Sequence, residues 1–396
     1  MVWKKVIALI FGLMIVVGAA PFGRVSAADT GITVMLVSDN EADSTLARYL
    51  ANITGTMVVT TPWGIYDPNV TASVISYGPD KVIVIGGPDA VVETYLEDLK
   101  ELSIAVERWW GRNRYETNLA VIGNATAKLG IKFENHVVVA PGNDTAAIEL
   151  ALRKAVKAHG VIIFANDTTD ITRIMMKIQI QPKNMTVIRS QVMEKVAERI
   201  REKVRNRVSV NITEVEVNIT AEMATEAIII SQKRITTAEE LLANVSVLKK
   251  ERWPAAEKML SLAKTELEKA KWAYSEGNYG KAYGLAIAAK AHAEFVIKMT
   301  SSEWQEIVKG DPTMMARLFL HRVEIQLEIM EKTGINVSEI RALVEQLKTA
   351  VENGESDIIP GLMERIRQKL LEMYTSGKCK FKERIVFPAH GGSAEP

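Results

Sequence analysis

His136-Val-Val-Val-Ala140, running straight into Pro141-Gly142-Asn143-Asp144 and then into a helical pattern through Ala158, is the stretch that decides the fold. A short β-branched run that stops at a turn and passes into a 3.6-residue period reads as a buried strand entering a helix. The same arrangement occurs earlier. Thr33-Val-Met-Leu-Val37 stops at Ser38-Asp39-Asn40 and leads into a helix through Leu50. Asn40 and Asn143 lie 103 residues apart, as do Pro79 and Pro182. Further strand runs follow in each copy: Met57–Thr60 and Val82–Ile85, the latter ending in Gly86-Gly87, and then Val161–Phe164 and Met185–Ile188. Helices are expected over Val91–Leu102 and Val192–Val204. Short apolar strands alternating with helices predict two Rossmann-like β-α-β repeats on mainly parallel sheets, produced by internal duplication.

From about Ala221 the period becomes helical throughout. Pro254 after Trp253 and Pro312 after Asp311 sit where a first helical turn tolerates proline. Turns at Glu276-Gly277-Asn278, Thr333-Gly334 and Asn353-Gly354 separate further helices, which gives about six with short connections and predicts an all-α bundle. Ala270–Ala291 is similar to one tetratricopeptide-type hairpin, with Tyr279, Ala282 and Ala286 as its packing set, and one hairpin is not an array. The expected organisation is a signal peptide over 1–27, α/β repeats over 28–110 and 111–220, a helical bundle over 221–376 and a flexible tail over 377–396.

The leader reading rests on Lys4 and Lys5, an uncharged stretch from Val6 to Ala20, and small residues ending at Ala27. The alternative is an uncleaved amino-terminal anchor. No other stretch is apolar for long enough to span a bilayer, so no transmembrane span is expected in the mature chain. A single cysteine, Cys379, excludes an intramolecular disulfide framework and multi-cysteine zinc sites. Lys and Arg number 49 against 48 Asp and Glu, for a formal charge of +1, which offers no global field for nucleic acid. Ten of the 17 asparagines stand in N-x-[S/T]: Asn52, Asn69, Asn124, Asn143, Asn166, Asn184, Asn211, Asn218, Asn244 and Asn336. The Ser and Thr content would place roughly two there by chance, so these are candidate glycosylation sites of an exported chain. Dense sequons on an exported chain without disulfides point to an archaeal surface protein.

Between the two units lies Arg108-Trp109-Trp110-Gly111-Arg112-Asn113-Arg114-Tyr115-Glu116-Thr117. Together with Val82–Val91, which contains Gly86-Gly87, it resembles the cell wall-binding repeat 2 family, in which a strand ending in Gly-Gly and a helix precede R-x-x-G-x-D-R-Y-x-T. The match holds at Arg108, Gly111, Arg114, Tyr115 and Thr117. Asn113 stands in place of aspartate and Trp109 in place of an aliphatic residue. The resemblance covers Thr33 to Ile219. It implies Rossmann-like repeats that attach a protein non-covalently to a cell-surface polymer. Departures are the two repeats where three are usual, Arg189-Ser190 instead of the second Gly-Gly, and the absence of the family's Pro-Ile-Leu-Leu stretch.

Ligands of open parallel sheets bind beyond the carboxyl ends of the strands. That rule gathers Asn40, Asp43, Thr61, Gly86, Gly87, Asn143, Asp144, Thr145, Asn166 and Asp167 on one polar rim. Arg108 and Arg114 either bind an acidic sugar or phosphate, or join the repeats while Tyr115 packs in the core; the structural reading is favoured. Trp109 and Trp110 adjoin each other, so on a strand they would face opposite ways. One of them is open to a sugar-stacking role, and core positions are favoured for both. Asn143 and Asn166 are sequons on the same rim, and glycans there would cover it. No P-loop, dinucleotide fingerprint, zincin or nucleophile-elbow motif is present. The acidic pairs Glu41/Asp43 and Asp167/Asp170 read as turns and caps. No enzymatic activity, cofactor or metal is expected. The expected role is attachment to a cell-envelope polymer or surface-layer protein, with the helical domain as spacer or partner-binding module. The alternative is an extracellular solute- or saccharide-binding protein using a cleft between the two α/β units.

Overall fold

The computed structural model describes residues 31–166, 168–190, 198, 202 and 210–376. The expected leader, the expected tail with Cys379, Asp167 and nearly all of the expected Val192–Val204 helix lie outside the described residues.

The first repeat runs β1 (Thr33–Ser38), α1 (Glu41–Thr54), β2 (Met57–Thr61), α2 (Pro68–Ser76), β3 (Lys81–Ile85), α3 (Glu93–Glu101), β4 (Ala105–Trp109). α4 (Arg114–Leu129) leads into the second: β5 (His136–Pro141), α5 (Thr145–Ala158), β6 (Val161–Ala165), α6 (Ile171–Lys177), β7 (Asn184–Ser190), β8 (Asn211–Val217). Each repeat holds a four-stranded sheet, ordered β2-β1-β3-β4 and β6-β5-β7-β8, and every strand pair is parallel. The duplication is therefore real at the level of topology. Its register is not one constant offset. Val34 aligns with Met57 and Val82, and Val137 with Val161 and Met185, so the second strand of the copy is displaced by one residue more than the other two. The extra residue enters at the β5–α5 turn, where Asp144 rather than Asn143 occupies the cap position held by Asn40 in the first repeat.

Both faces of each sheet are covered, which explains why the central strands are apolar without alternation. In β1, Val34 and Leu36 enter one core while Met35 and Val37 enter another. The second of these cores is shared by the two sheets. It takes Ile83, Ile85 and Trp109 from the first repeat and Val138, Ala140, Ile162 and Phe164 from the second. The outer face of the second sheet packs on α6 through Val137, Val139, Ile163 and Met175.

Among the described residues six helices follow: α7 (Ala221–Lys249), α8 (Pro254–Ser275), α9 (Tyr279–Gly310), α10 (Pro312–Lys332), α11 (Ser338–Asn353) and α12 (Ile359–Thr375). They divide their packing. α7, α8 and α9 build a core of their own around Ile235, Leu242, Leu260, Leu267, Val296 and Ile297. α10, α11 and α12 instead bury Phe319, Leu327, Leu347 and Ile366 in the same core as Val34, Leu36, Val82 and Val84 of the first sheet. The described residues from Gly31 onward form one compact unit. The change of period near Ala221 is thus a change of secondary structure, and the hydrophobic cores run across it.

Candidate functional site

In each sheet the strand order reverses beside the first strand, between β1 and β3 and between β5 and β7. The crevice at such a switch point is where open α/β sheets hold ligands. In the first repeat it is formed by Asp39-Asn40 after β1 and Gly86-Gly87 after β3. Asn40 caps α1 by accepting the Ala42 N–H at 3.1 Å. Gly86 has φ +118°, and a Cβ there would stand 3.2 Å from the Asp43 carboxylate. Glycine thus serves both the backbone conformation and the close approach of Asp43. Gly87 is needed for room: a Cβ would lie 2.9 Å from the Trp110 ring. In the second repeat Asn143 is exposed and Asp144 is buried, capping α5 through the Ala147 N–H at 3.1 Å. Asn166 is half-buried and accepts from the Thr168 N–H at 3.0 Å, while Thr61 is buried and its hydroxyl meets that of Tyr95.

The rim is closed by the chain's own helices, a feature that the sequence reading missed. Arg234 of α7 donates to Asp39 and, at 3.3 Å, to Glu294. Lys290 of α9 pairs with Glu41, and its ammonium lies 3.5 Å from Glu294. Tyr283 of α9 donates to Asp144 at 2.9 Å and accepts the Ala146 N–H at 2.9 Å. Lys298 reaches Asp89 at 2.7 Å. Burial pushes the Glu41 carboxyl up, but Lys290 beside it more than compensates and holds it below the usual carboxylate range. Asp43 has no such cation in contact. Burial raises it to about 7 against the pull of Arg114 and with a push from Glu41. One oxygen of Asp43 and one of Asp144 are buried without a hydrogen-bond partner. The only sequence signal for this cover is the helical small-residue pattern of Ala282 and Ala286, which lie with Tyr283 in the core shared with the sheets.

The R-x-x-G-x-x-R-Y-x-T segment is a structural joint. Arg108 donates to the Gly86 and Val91 carbonyls, both at 2.9 Å, and to Glu93 at 3.0 Å, which pins the Gly-Gly turn. Arg114 donates to the Gly142 carbonyl of the second repeat at 2.9 Å. Tyr115 packs on Gly142, where a Cβ would stand 2.7 Å from its ring. Asn113 caps α4, accepting from the Tyr115 and Glu116 N–H groups at 3.0 Å, a task that asparagine and aspartate perform alike. Thr117 accepts the Gly111 N–H at 3.0 Å, and a Cβ on Gly111 would fall 2.3 Å from that of Glu116. Asn118, not singled out from sequence, is fully buried. Its amide donates to the Ile162 carbonyl at 2.9 Å and its oxygen accepts the Phe164 N–H at 3.0 Å, so one side chain supplies edge strand β6 with a substitute partner strand. The two tryptophans separate: Trp109 is 1% exposed in the shared core and Trp110 is 47% exposed. The expectation that both are core is corrected, because successive strand residues point to opposite faces and the face of Trp110 lies over Gly87 at the open end of the sheet.

The space between the repeats is filled. α1 and α5 pack together, Arg48 pairs with Glu149, and Tyr49 donates to the Gly160 carbonyl. A second concentration of charge surrounds a cavity of about 110 Å³ lined by Tyr66, Asp98, Glu101, Trp304, Phe319 and Arg367. There Arg322 of α10 pairs with Asp98 and Glu101, and Arg367 with Glu101. Among the described residues no group of three His, Cys, Asp or Glu side chains is arranged to hold a metal ion, and no helix is long and apolar enough to cross a membrane.

No family model matches the chain. It is similar to an uncharacterized protein of Methanocaldococcus jannaschii, 41% identical over 143 residues that make up 36% of this chain and 38% of that protein. The chain thus spans well under half the length of the relative it matches. Among solved structures it is similar to Cwp6 from Clostridium difficile, with a TM-score of 0.39 at 19% identity, over 47% of this chain and 29% of the other.

Proposed function

We propose that the protein is an exported, glycosylated and non-catalytic component of the cell surface. In this reading it attaches non-covalently to an envelope polymer or surface-layer protein through its α/β repeats. The observation that carries the proposal is the placement of the sequons. Of the ten asparagines, Asn124 and Asn166 are half-buried, the other eight are exposed, and none is buried. They occur on both repeats and on the helical half, so an oligosaccharide transferred to any of the eight meets solvent rather than core. The half-buried Glu41 and the buried Asp98 and Asp144 are engaged by Lys290, Arg322 and Tyr283, which supports a scaffold in preference to an acid–base centre. The packed surface between the repeats favours attachment over solute capture in an inter-repeat cleft.

Co-sedimentation of the full mature chain with isolated envelopes tests the proposal, together with intact mass before and after chemical deglycosylation. Saturable pelleting and a mass excess support it. A chain of unmodified mass that stays in the supernatant overturns it. Division at residue 220 is not a usable shortcut, since two hydrophobic cores cross that point.

A further inference from the structure

The helices cover the strand-end rim unevenly. Arg234, Lys290 and Tyr283 reach the turns after β1 and β5. Beyond the ends of β3 and β4, Lys298 meets Asp89, and Trp110 stays exposed. This indole is held still from below. Its ring rests on Gly87, where a Cβ would stand 2.9 Å from it. Arg108 fixes the Gly86 carbonyl at 2.9 Å, and Trp109 is anchored in the shared core. The following turn is tied by the Gly111 N–H to Thr117 at 3.0 Å and by the Arg112 N–H to Glu116 at 3.1 Å. A rigid aromatic surface loses little conformational entropy when a ligand settles on it.

The duplication shows this seat to be particular to the first repeat. Ile85 lies beside Trp109, and at the equivalent point Ile188 lies beside Val215, so Ser190 and Glu216 stand where Gly87 and Trp110 do. The ring and the glycine that makes room for it are present together in one copy and absent together in the other. Between Met57 and Met176 no other large apolar side chain is exposed among the described residues. The neighbours Pro88, Asp89, Arg112 and Asn113 are exposed and, proline apart, polar. One indole in a polar border is too small for a protein interface, which takes roughly 800 Å² per partner. It suits a ring that is apolar on its face and polar around its edge. A pyranose with equatorial hydroxyls is such a ring, since its axial C–H bonds meet the π face and its hydroxyls point sideways. Trp272 is more exposed, but Lys281 lies over its ring at 5.6 Å. The Arg112 guanidinium makes no hydrogen bond or ion pair among the described residues and is free to serve a hydroxyl. Arg108 and Arg114 are spent on carbonyls and Lys298 on Asp89, so the paired cations that a polyanion needs are lacking. No sequon falls between Asn69 and Asn124, which keeps this segment clear of attached oligosaccharide.

We propose that Trp110, seated on Gly87, is the stacking platform for a neutral pyranose ring of an envelope glycan, with Arg112 donating to its hydroxyls. The envelope as the source of the glycan rests on the attachment reading above; the ring chemistry does not.

The test is saturation-transfer NMR of cellotriose and of trigalacturonate with the full chain, as wild type, Trp110→Ala, Trp110→Tyr and Arg112→Ala. Transfer from the wild type is expected to be strongest at the axial ring protons of cellotriose and no stronger for trigalacturonate. Trp110→Ala is expected to weaken cellotriose binding about tenfold, and Arg112→Ala about threefold with the same proton pattern. Trp110→Tyr keeps an aromatic face and is expected to stay within about threefold of wild type, which separates lost stacking from lost folding. No transfer from the wild type, equal transfer in Trp110→Ala, or a loss in Trp110→Tyr as large as in Trp110→Ala overturns the platform. Stronger transfer to trigalacturonate overturns the neutral ligand. Envelope pelleting of wild type and Trp110→Ala then tests the source, with about tenfold weaker pelleting of the variant expected. Equal pelleting beside unequal cellotriose binding overturns the envelope as the source. A wild type that binds cellotriose through Trp110 but does not pellet removes the attachment reading and leaves the ring site standing.

Discussion

Tyr283 and Asp144, 139 residues apart, are joined by a 2.9 Å hydrogen bond that ties α9 to the cap of α5. Burial, with the charge of Asp144 acting in the same sense, holds the tyrosine far above its ordinary pKa, so its hydroxyl remains a donor at every physiological pH. The same oxygen accepts the Ala146 N–H, which places it at the first turn of α5. A helix start in the second repeat is completed by a residue of the helical half.

Removal of that hydroxyl leaves a buried N–H without its acceptor and a carboxylate oxygen without one of its donors. Tyr283→Phe is expected to cost about 1–3 kcal/mol, measured by urea unfolding of the full chain. A cost below ~0.5 kcal/mol would mean that water replaces the hydroxyl, and that the cover is looser than its distances indicate.

Asn118 makes the corresponding contribution inside the second repeat. Asn118→Leu removes the partners of the Ile162 carbonyl and the Phe164 N–H at once, and the two orphaned groups predict a loss of about 2–5 kcal/mol. Asn118→Asp keeps the acceptor and, while protonated, offers an O–H donor to the Ile162 carbonyl, so it belongs close to wild type at low pH and loses that donor when it ionises. Amide exchange at Phe164 reads the same bond directly. An unaltered exchange rate there would show that β6 does not depend on this side chain.

Arg322 binds the other side of the molecule together. It is buried, paired with Asp98 and Glu101 of α3, and held above its ordinary pKa: burial works against its charge, and the attraction of Asp98, Tyr66 and Glu101 outweighs that. Arg322→Ala leaves Asp98 uncompensated in a buried site and is expected to cost about 3–5 kcal/mol. Because α10 shares its core with the first sheet, the loss should lower a transition common to sheet and helices. Calorimetry that resolved an unaffected α/β transition would contradict the shared core.

Much of this architecture was legible from residues alone. The apolar runs at Thr33, Met57, Val82, His136, Val161 and Met185 all became strands, because central strands buried on both faces need uninterrupted β-branched residues. β4 and β8 were not read as strands; Ala105–Trp109 and Asn211–Val217 carry Glu and Arg or Thr, as edge strands can. The motif around Arg114 was visible, but its use was open until Gly142 lay under Tyr115. The cover over the rim was hidden for a different reason. Arg234 and Lys290 are single charges on helices some 195 and 249 residues from Asp39 and Glu41, and no local period encodes a pairing at that distance.

Asp43 supplies the pH dependence. Its carboxyl has a folded pKa of about 7 against an ordinary value of 3.8, raised chiefly by burial. Below pH 3.8 it is protonated in both states and costs nothing. As pH rises from there toward 7, the unfolded chain releases the proton while the folded chain keeps it, so this group removes up to about 1.4 kcal/mol of stability per pH unit until the folded carboxyl ionises too. Asp43→Asn has no proton to release. Its stability relative to wild type should therefore climb between pH 4 and 7 and level off above that, in paired urea unfolding curves taken across the range. Glu41 acts in the opposite sense, since its folded pKa is lowered and its contribution disappears as pH falls, but it is common to both proteins and largely cancels in the difference. A difference that stays level from pH 4 to 8 would place Asp43 in contact with solvent, and the crevice between Asn40 and Gly86 would then be open rather than sealed.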